Sequence, residues 1–449
     1  MPYDEIFKPL QFRNLTVKNR IFRSNISGRW DNEDGSLTQT RINWEAKFAH
    51  GGVGAIISSY VPVLMEGRII ASYATVHRDD FIPLWAKLGE VIHSLDCKFI
   101  MQLSHSGRQM DLPGVHNLAR PTLSSTSKKE SLHGFLTQAM SKAEIDHTIA
   151  AFAKGAWRAR EAGLDGVELH SANGYLFSQF LSSGINDRED EYGGVLENRA
   201  RFLLNVIEAI RTAVGRDFHL QVKLSAVDHN NVVPWEKPGN TLDETIQIAK
   251  WAEAAGADAI HVSQGSLFPH PLNPPGDLSL ETLTTTYNAM IDSGVNGMRN
   301  YLLFRYPFLR PIFHWVWFRM KKGHVVEGVN LEEARVIKQN VSVPVICTGG
   351  FQTASFICEA LKEGAVDGVS IARSLVANND LVQQWAAGHD RPERPCTYCN
   401  RCLVSAMKNP MGCYDQSRYP DRDTMIEEVM SVYRAHAGLV APGKEVMSS

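Results

Sequence analysis

The sequence predicts an α/β fold, a (β/α)8 barrel, from three observations. A helix–glycine–strand phrase recurs as EAGLDGVELH (Glu161–His170), AAGADAIHVSQ (Ala254–Gln264) and KEGAVDGVSIAR (Lys362–Arg373), with a shorter relative, AHGGVGAIIS (Ala49–Ser58). Each copy reads as a helix ending on a glycine suited to a left-handed cap, with a short β-branched strand directly after it. Eight such strands can be placed, nearly every one followed by a helical run, which favours a closed parallel sheet over an open one. The strand ends are also polar, and in barrels of this kind chemistry sits at the C-terminal ends of strands.

In chain order the expected strands are Ile21–Asn25, Val53–Ser58, Lys98–Leu103, Gly166–His170, Leu220–Leu224, Ala259–Val262, Val343–Cys347 and Val369–Ile371. Among the helices, one starts at Ser141, where Ser-Lys-Ala-Glu forms a capping box with Glu144. Others run Glu197–Val214 and Leu242–Ala255. The barrel is expected to occupy residues 1–390, with an aromatic and basic insertion at about 282–326 after the sixth strand. Residues 391–449 form a cysteine-rich segment and tail.

Composition narrows the function. The 449 residues are 44% hydrophobic and 21% charged, with formal net charge −3. That balance excludes disorder, collagen and coiled coil as dominant states. It also provides no global basic field for nucleic acid. The stretch Tyr301–Met320 looks like a membrane span, but Arg305, Arg310, Arg319, Pro307 and Pro311 interrupt it. The start, MPYDEIFKPL, lacks a basic region followed by an apolar run, so a cytoplasmic setting is expected.

The strand ends supply the candidate site. Thr348-Gly349-Gly350 and Ala372-Arg373 offer bare backbone amides and a guanidinium after the last two strands, the usual place for a phosphate in barrels. The alternative is that the glycines only turn the chain and Arg373 pairs with a carboxylate. At the fourth strand, His170, Asn173 and Tyr175 form H-x-x-N-x-Y. His and Asn can donate two hydrogen bonds to one oxygen, and a phenol can deliver a proton. Alternatively, these are a core histidine and a packed tyrosine.

Of seven cysteines, Cys97, Cys347 and Cys358 read as small buried hydrophobes. Cys396, Cys399, Cys402 and Cys413 have the spacing C-x2-C-x2-C-x10-C, which suits a [4Fe–4S] cluster better than zinc, with unligated thiols as a third reading. Between Arg299 and Lys322 there are six Lys or Arg and no acidic residue, amid Trp, Phe, Leu and Tyr. That stretch suits a peripheral membrane contact, an entrance for a bulky apolar substrate, or a packed excursion over the barrel or a partner subunit.

Several blocks resemble the old yellow enzyme family of FMN-dependent oxidoreductases. They are IFKPLQFRNLTVKNRI near the start, QLSHSGRQ (Gln102–Gln109), DGVELHSANGYLFSQFLSSGINDREDEYGGVLENRARF (Asp165–Phe202), TGGF and IARSLVANNDL. The resemblance implies FMN over the barrel mouth, its phosphate on Gly349, Gly350, Ala372 and Arg373. It sets Gln102 at the pyrimidine edge and Asn25, Ser27 and Tyr60 beside the ring. His170 and Asn173 would hold a substrate carbonyl, and Tyr175 would donate the proton. Lys223 stands where the family usually has Arg, keeping the charge but losing the fork geometry. Ser27 stands where trimethylamine dehydrogenase carries a flavin-linked cysteine, so no covalent flavin is expected there.

The cysteine run is similar to that of the iron–sulfur subgroup containing 2,4-dienoyl-CoA reductase and trimethylamine dehydrogenase. Those relatives continue into FAD and NAD(P) domains. Here 36 residues follow Cys413, without a G-x-G-x-x-G fingerprint. The expectation is therefore an enzyme reducing the C=C bond of an α,β-unsaturated carbonyl in a small apolar substrate. NAD(P)H would be the direct or indirect donor, a separate electron-donor protein would feed the cluster, and the chain would form a homo-oligomer. The alternatives are a flavin dehydrogenase or demethylase oxidising an amine or alcohol, with electrons leaving through the cluster, and an electron-transfer or membrane-docked subunit of a larger complex.

Overall fold

Eight parallel strands close into a barrel around the cavity that holds the candidate site. The computed structural model describes residues 2–109, 121–129, 134, 137–230, 237–265, 270–290, 295–406 and 408–434. The strands are β1 (Ile21–Arg23), β2 (Ala55–Ile57), β3 (Lys98–Ser104), β4 (Gly166–Ser171), β5 (His219–Ser225), β6 (Ala259–Ser263), β7 (Val345–Thr348) and β8 (Gly368–Ile371). Each pairs in parallel with its sequence neighbours. The ring closes where β8 meets β1, with Val369 opposite Ile21 and Ile371 opposite Arg23. All eight expected strands are present, displaced by at most two residues at their ends.

The helices include α1 (Gln39–His50), α2 (Ile82–Ser94), α3 (Lys142–Glu161), α4 (Leu196–Val214), α5 (Leu242–Ala255), α6 (Leu280–Met290), α7 (Val295–Arg305), α8 (Arg310–Lys321), α9 (Leu331–Lys338), α10 (Ala354–Lys362) and α11 (Arg373–Ala377). The Ser141–Glu144 capping box starts α3, and a second one, Thr241–Glu244, starts α5. Gly256 caps α5 at φ 117, a conformation that would strain any other residue, and hands the chain to β6. Helices α6, α7 and α8 lie between β6 and β7, in the stretch read from the sequence as an insertion. Residues 291–294 of the insertion and 435–449 of the tail lie outside the described residues.

The N-terminal end of the barrel is plugged. Leu10–Gln11 and Thr16–Val17 pair as an antiparallel hairpin. Its Leu10, Phe12, Leu15 and Val17 pack with Phe22, Ala55, Ile57, Ile100, Ala259 and Ile346 from the strands. Asn14 adds hydrogen bonds to the Arg216 carbonyl at 3.0 Å and to Asp258 at 3.1 Å. Water is thereby kept from the base of the barrel.

The cysteine-rich segment packs on the barrel. Cys402, Met411 and Cys413 belong to the main hydrophobic core. The Cys396 amide and carbonyl bond the side chain of Gln352 at 3.0 and 3.3 Å. The Tyr398 hydroxyl donates to the Gly350 carbonyl at 2.5 Å. At the other end, Asn43 of α1 donates to the carbonyls of Val432 and Arg434 at 2.9 and 3.1 Å.

Candidate active site

One cavity at the C-terminal mouth collects nearly every residue singled out from the sequence. Its wall includes Asn25 and Ser27 after β1, Tyr60 after β2, and His170, Asn173 and Tyr175 after β4. Lys223 of β5, Gly349 and Gly350 after β7, and Ala372 and Arg373 after β8 complete the expected set. Gln102 is the exception. It lies fully buried in the barrel interior rather than in the cavity wall. Its amide donates to Glu168 at 2.7 Å, and its Oε1 has no hydrogen-bond partner. Beneath the mouth β3 offers its side chain to the strand beside it, and this explains the placement.

Glu168 organises the layer below the cavity. It accepts from Gln102 and from Gln221 at 2.5 Å, and His261 Nδ1 lies 2.7 Å away. His261 Nε2 in turn lies 2.6 Å from both Thr348 Oγ1 and Ser370 Oγ. Burial opposes the Glu168 charge, but His261 and Lys223 outweigh it and hold the carboxyl at about 2. Barrel interiors are usually filled by branched apolar side chains, so this polar layer departs from the common pattern. Sequence reading missed it, although the alternation GVELHS and AIHVS was its signal.

Lys223 stands between that layer and the mouth. Its Nζ donates to Asn25 Oδ1 at 2.5 Å. Burial pulls its ammonium down from 10.5 to about 8, with Glu168 opposing the shift. His170 is held neutral, well below its usual range, first by burial and then by the positive Lys223. Its Nδ1 is buried and has no partner. Tyr175 packs its ring 4.7 Å from His170 and 5.1 Å from Tyr60. Tyr60, Ile69, Ile70 and Tyr73 form the apolar cluster against which it rests.

Asn173 is held by its backbone and by its side chain. It sits at φ 61, a left-handed conformation that costs a non-glycine residue energy and tends to persist at functional sites. Its amide group donates to Asn273 Oδ1 at 2.8 Å and to the Gln264 carbonyl at 3.0 Å. Ser27 accepts the Tyr60 amide at 2.8 Å. The walls also contain residues that sequence reading did not pick: Leu272–Pro275, Asn330, and Leu403 and Met411 from the cysteine-rich segment. No local pattern marks them, because loops distant in sequence bring them there.

Arg373 has no carboxylate partner among the described residues. It donates to the neutral Asn400 Oδ1 at 2.5 Å and lies over the Tyr398 ring at 5.4 Å. Its charge therefore remains available to an anion. Gly350 has φ 70, and a Cβ there would meet the Val326 carbonyl at 2.5 Å, so only glycine brings this backbone to the cavity. Bare amides, an uncompensated guanidinium and unpartnered buried polar atoms fit a phosphate-bearing polar ring system such as FMN.

Cys396, Cys399, Cys402 and Cys413 line a second, smaller cavity, and Arg373 lies in the walls of both. Tyr398 and Asn400, on either side of Cys399, take left-handed backbone at φ 57 and 59. Arg418 donates to Cys413 Sγ at 3.1 Å, and the Tyr398 amide to Cys396 Sγ at 3.4 Å. Among the described residues no three His, Cys, Asp or Glu side chains converge as a single-ion site would require.

A sequence profile of the NADH:flavin oxidoreductase / NADH oxidase family matches residues 5–290. The chain belongs to this family. An NADH oxidase of Thermoanaerobacter brockii is 30% identical over 429 residues, covering 92% of the chain and 58% of the relative. A 4,4'-dithiodibutanoate disulfide reductase of Rhodococcus erythropolis is 28% identical over 414 residues, covering 90% of the chain and 93% of the relative. A 2-naphthoyl-CoA reductase solved with 2-naphthoyl-CoA superposes with TM-score 0.73 at 24% identity, over 92% of the chain and 56% of that structure. The chain thus spans less than two thirds of the NADH oxidase and of the naphthoyl-CoA reductase. An NADPH dehydrogenase of Bacillus cytotoxicus is 35% identical over 266 residues, covering 59% of the chain and 73% of the relative.

Proposed function

We propose that the enzyme reduces the activated C=C bond of an α,β-unsaturated carbonyl, an enone or an enoyl or dienoyl thioester. The observation that carries this reading is the grouping of a neutral His170, Asn173 and Tyr175 on one cavity wall. Bound FMN, once reduced by NAD(P)H, would be the source of the hydride that the β-carbon receives. His170 donates an N–H to the carbonyl oxygen without placing a full positive charge beside it. Asn173 joins by exchanging its bond to Asn273 for the same oxygen. Tyr175 gives its phenolic proton to the α-carbon, and the Tyr60–Ile69–Tyr73 cluster keeps water from the reacting atoms. Anaerobic turnover of 2-cyclohexenone with NAD(P)H should yield the saturated ketone. Flavin reduction without any enone turnover would refute the reading.

Asn25, Ser27, Tyr60 and Lys223 would flank the flavin ring, with Gly349, Gly350, Ala372 and Arg373 at its phosphate. An ammonium at Lys223 favours negative charge on the ring, and it is lost as pH rises through about 8. FMN affinity, read by fluorescence quenching, should therefore fall above that pH. Lys223→Arg should keep the affinity flat through pH 9 to 10, because a guanidinium stays charged there, with its pKa above about 12. The sign for stability is opposite. The folded pKa of Lys223 lies below the unfolded value, so its protonation opposes folding below about 8, and that penalty disappears as pH rises toward 10.5.

The four cysteines would ligate a [4Fe–4S] cluster, with electrons arriving from a separate donor protein or directly as NAD(P)H. The shared cavity and the strained backbone around Cys399 support this. Protein purified without oxygen should contain about four iron atoms per flavin. Cys402→Ser should lose most of that iron while retaining FMN, and a colourless protein carrying zinc would count against the cluster. The proposed setting is the cytoplasm, as a homo-oligomer touching a membrane surface through residues 299–322. Among the described residues, no helix is long and apolar enough to cross a membrane.

A further inference from the structure

The insertion presents a face that the rest of the chain leaves uncovered. Of the fourteen large apolar side chains that stand exposed among the described residues, ten fall between Met298 and Val325. On α8, Ile312, Trp315 and Val316 share the outer face, at 55%, 61% and 42% exposure. The inner face is anchored: Phe313 packs against the Leu280–Leu283–Tyr301 cluster, and Trp317 donates to the Gly276 carbonyl at 2.9 Å. The helix is therefore fixed to the protein, so its outer face is held in solvent by structure and not by fraying. Phe308, 72% exposed, projects from the Pro307 turn that leads into α8.

The charges around this face identify what covers it. Of Arg299, Arg305, Arg310, Arg319, Lys321 and Lys322, only Lys321 has a carboxylate partner among the described residues, Asp277 at 2.6 Å. Arg319 lies over the Trp315 ring at 5.6 Å and Arg305 donates to the Tyr301 hydroxyl at 2.7 Å, neither of which removes charge. A second copy docking through the same patch about a two-fold axis would press cations against cations, with no acidic residue between 299 and 322 and only Asp277, already paired to Lys321, beside them. Aromatic rings interleaved with Arg and Lys are instead the composition of a helix lying at a phospholipid headgroup layer.

Resting on the membrane contact proposed above, we infer that residues 299–322 dock the enzyme on an anionic phospholipid bilayer. Helix α8 lies flat, with Ile312, Trp315 and Phe318 in the acyl boundary and the arginines at the phosphates. Gly276, to which Trp317 is bonded, directly follows Pro275 of the cavity wall. Docking therefore sets the cavity rim behind α8, one helix diameter (~10 Å) from the lipid surface, where an apolar substrate is concentrated.

The test is co-sedimentation of the FMN-loaded enzyme with vesicles of phosphatidylcholine alone and of phosphatidylcholine mixed with phosphatidylglycerol. Binding is expected only to the mixed vesicles and should weaken with added salt. Replacing Arg305 and Arg319 by Gln should weaken it about fivefold per residue, the equivalent of about 1 kcal/mol per cation near an anionic surface. The Trp315→Ser/Phe318→Ser variant should lose binding while turning over 2-cyclohexenone in vesicle-free buffer like the parent. Equal binding to neutral vesicles would overturn the anionic surface while leaving a membrane contact standing. No binding to either, or a Trp315→Ser/Phe318→Ser variant that converts an oligomer to monomers without a change in vesicle binding, would overturn both.

Discussion

Tyr175→Phe should leave flavin reduction by NAD(P)H unchanged and slow reoxidation by an enone by about 10²- to 10⁴-fold, the usual size of a general-acid contribution. The substitution keeps the ring, and with it the packing on His170 at 4.7 Å and Tyr60 at 5.1 Å, so the cavity wall survives. It removes only the hydroxyl proposed to supply a proton once the carbonyl oxygen is held. Stopped-flow measurement of the two half-reactions separates the effects. Equal losses in both would mean that Tyr175 shapes the flavin pocket and does not protonate substrate. A matched His170→Ala variant should weaken enone binding as well, because it removes the proposed donor to the carbonyl oxygen.

The second large effect concerns stability. Glu45→Ala should destabilise the protein by about 3–5 kcal/mol, as expected when one partner of a buried ion pair is removed. Glu45 of α1 and Arg23 of β1 are fully buried and paired. Glu45 also accepts from Arg41 at 3.3 Å, from the Ser59 amide at 3.3 Å and from the Ser59 hydroxyl at 3.1 Å. Alanine would leave Arg23 charged in the core with its anion gone. Because Ser59 precedes Tyr60 of the cavity wall, FMN retention should drop together with the urea midpoint. A loss below about 1 kcal/mol would show that water reaches the Arg23 guanidinium.

Much of this architecture was legible in the sequence because it is written locally. A glycine such as Gly256 that ends a helix, followed by AIHVS, specifies a joint without reference to any other part of the chain. Once the strands were placed, their ends placed His170, Asn173, Tyr175, Lys223 and Arg373 at one mouth. What escaped depended on long-range packing. Glu168 and His261 look like ordinary members of short strands, and only closure of the barrel sets His261 Nδ1 2.7 Å from Glu168. Gln102 shares the strand-end signature but turns to that interior layer. The wall contributed by Leu403 and Met411 follows from the cysteine-rich segment folding back onto the barrel, which spacing cannot reveal.

The pairing of β8 with β1 has a consequence in time. Asn25 and Ser27 stand at the end of the first strand, whereas Ala372 and Arg373 stand at the end of the last. At about 5–20 residues per second, a ribosome makes these two edges of the site tens of seconds apart. Until Gly368–Ile371 arrives to face Ile21–Arg23, the nascent sheet is an open crescent with only part of the proposed phosphate cradle. A nascent chain halted before residue 368 should therefore hold no flavin, and cofactor capture becomes a late event that locks a ring already closed.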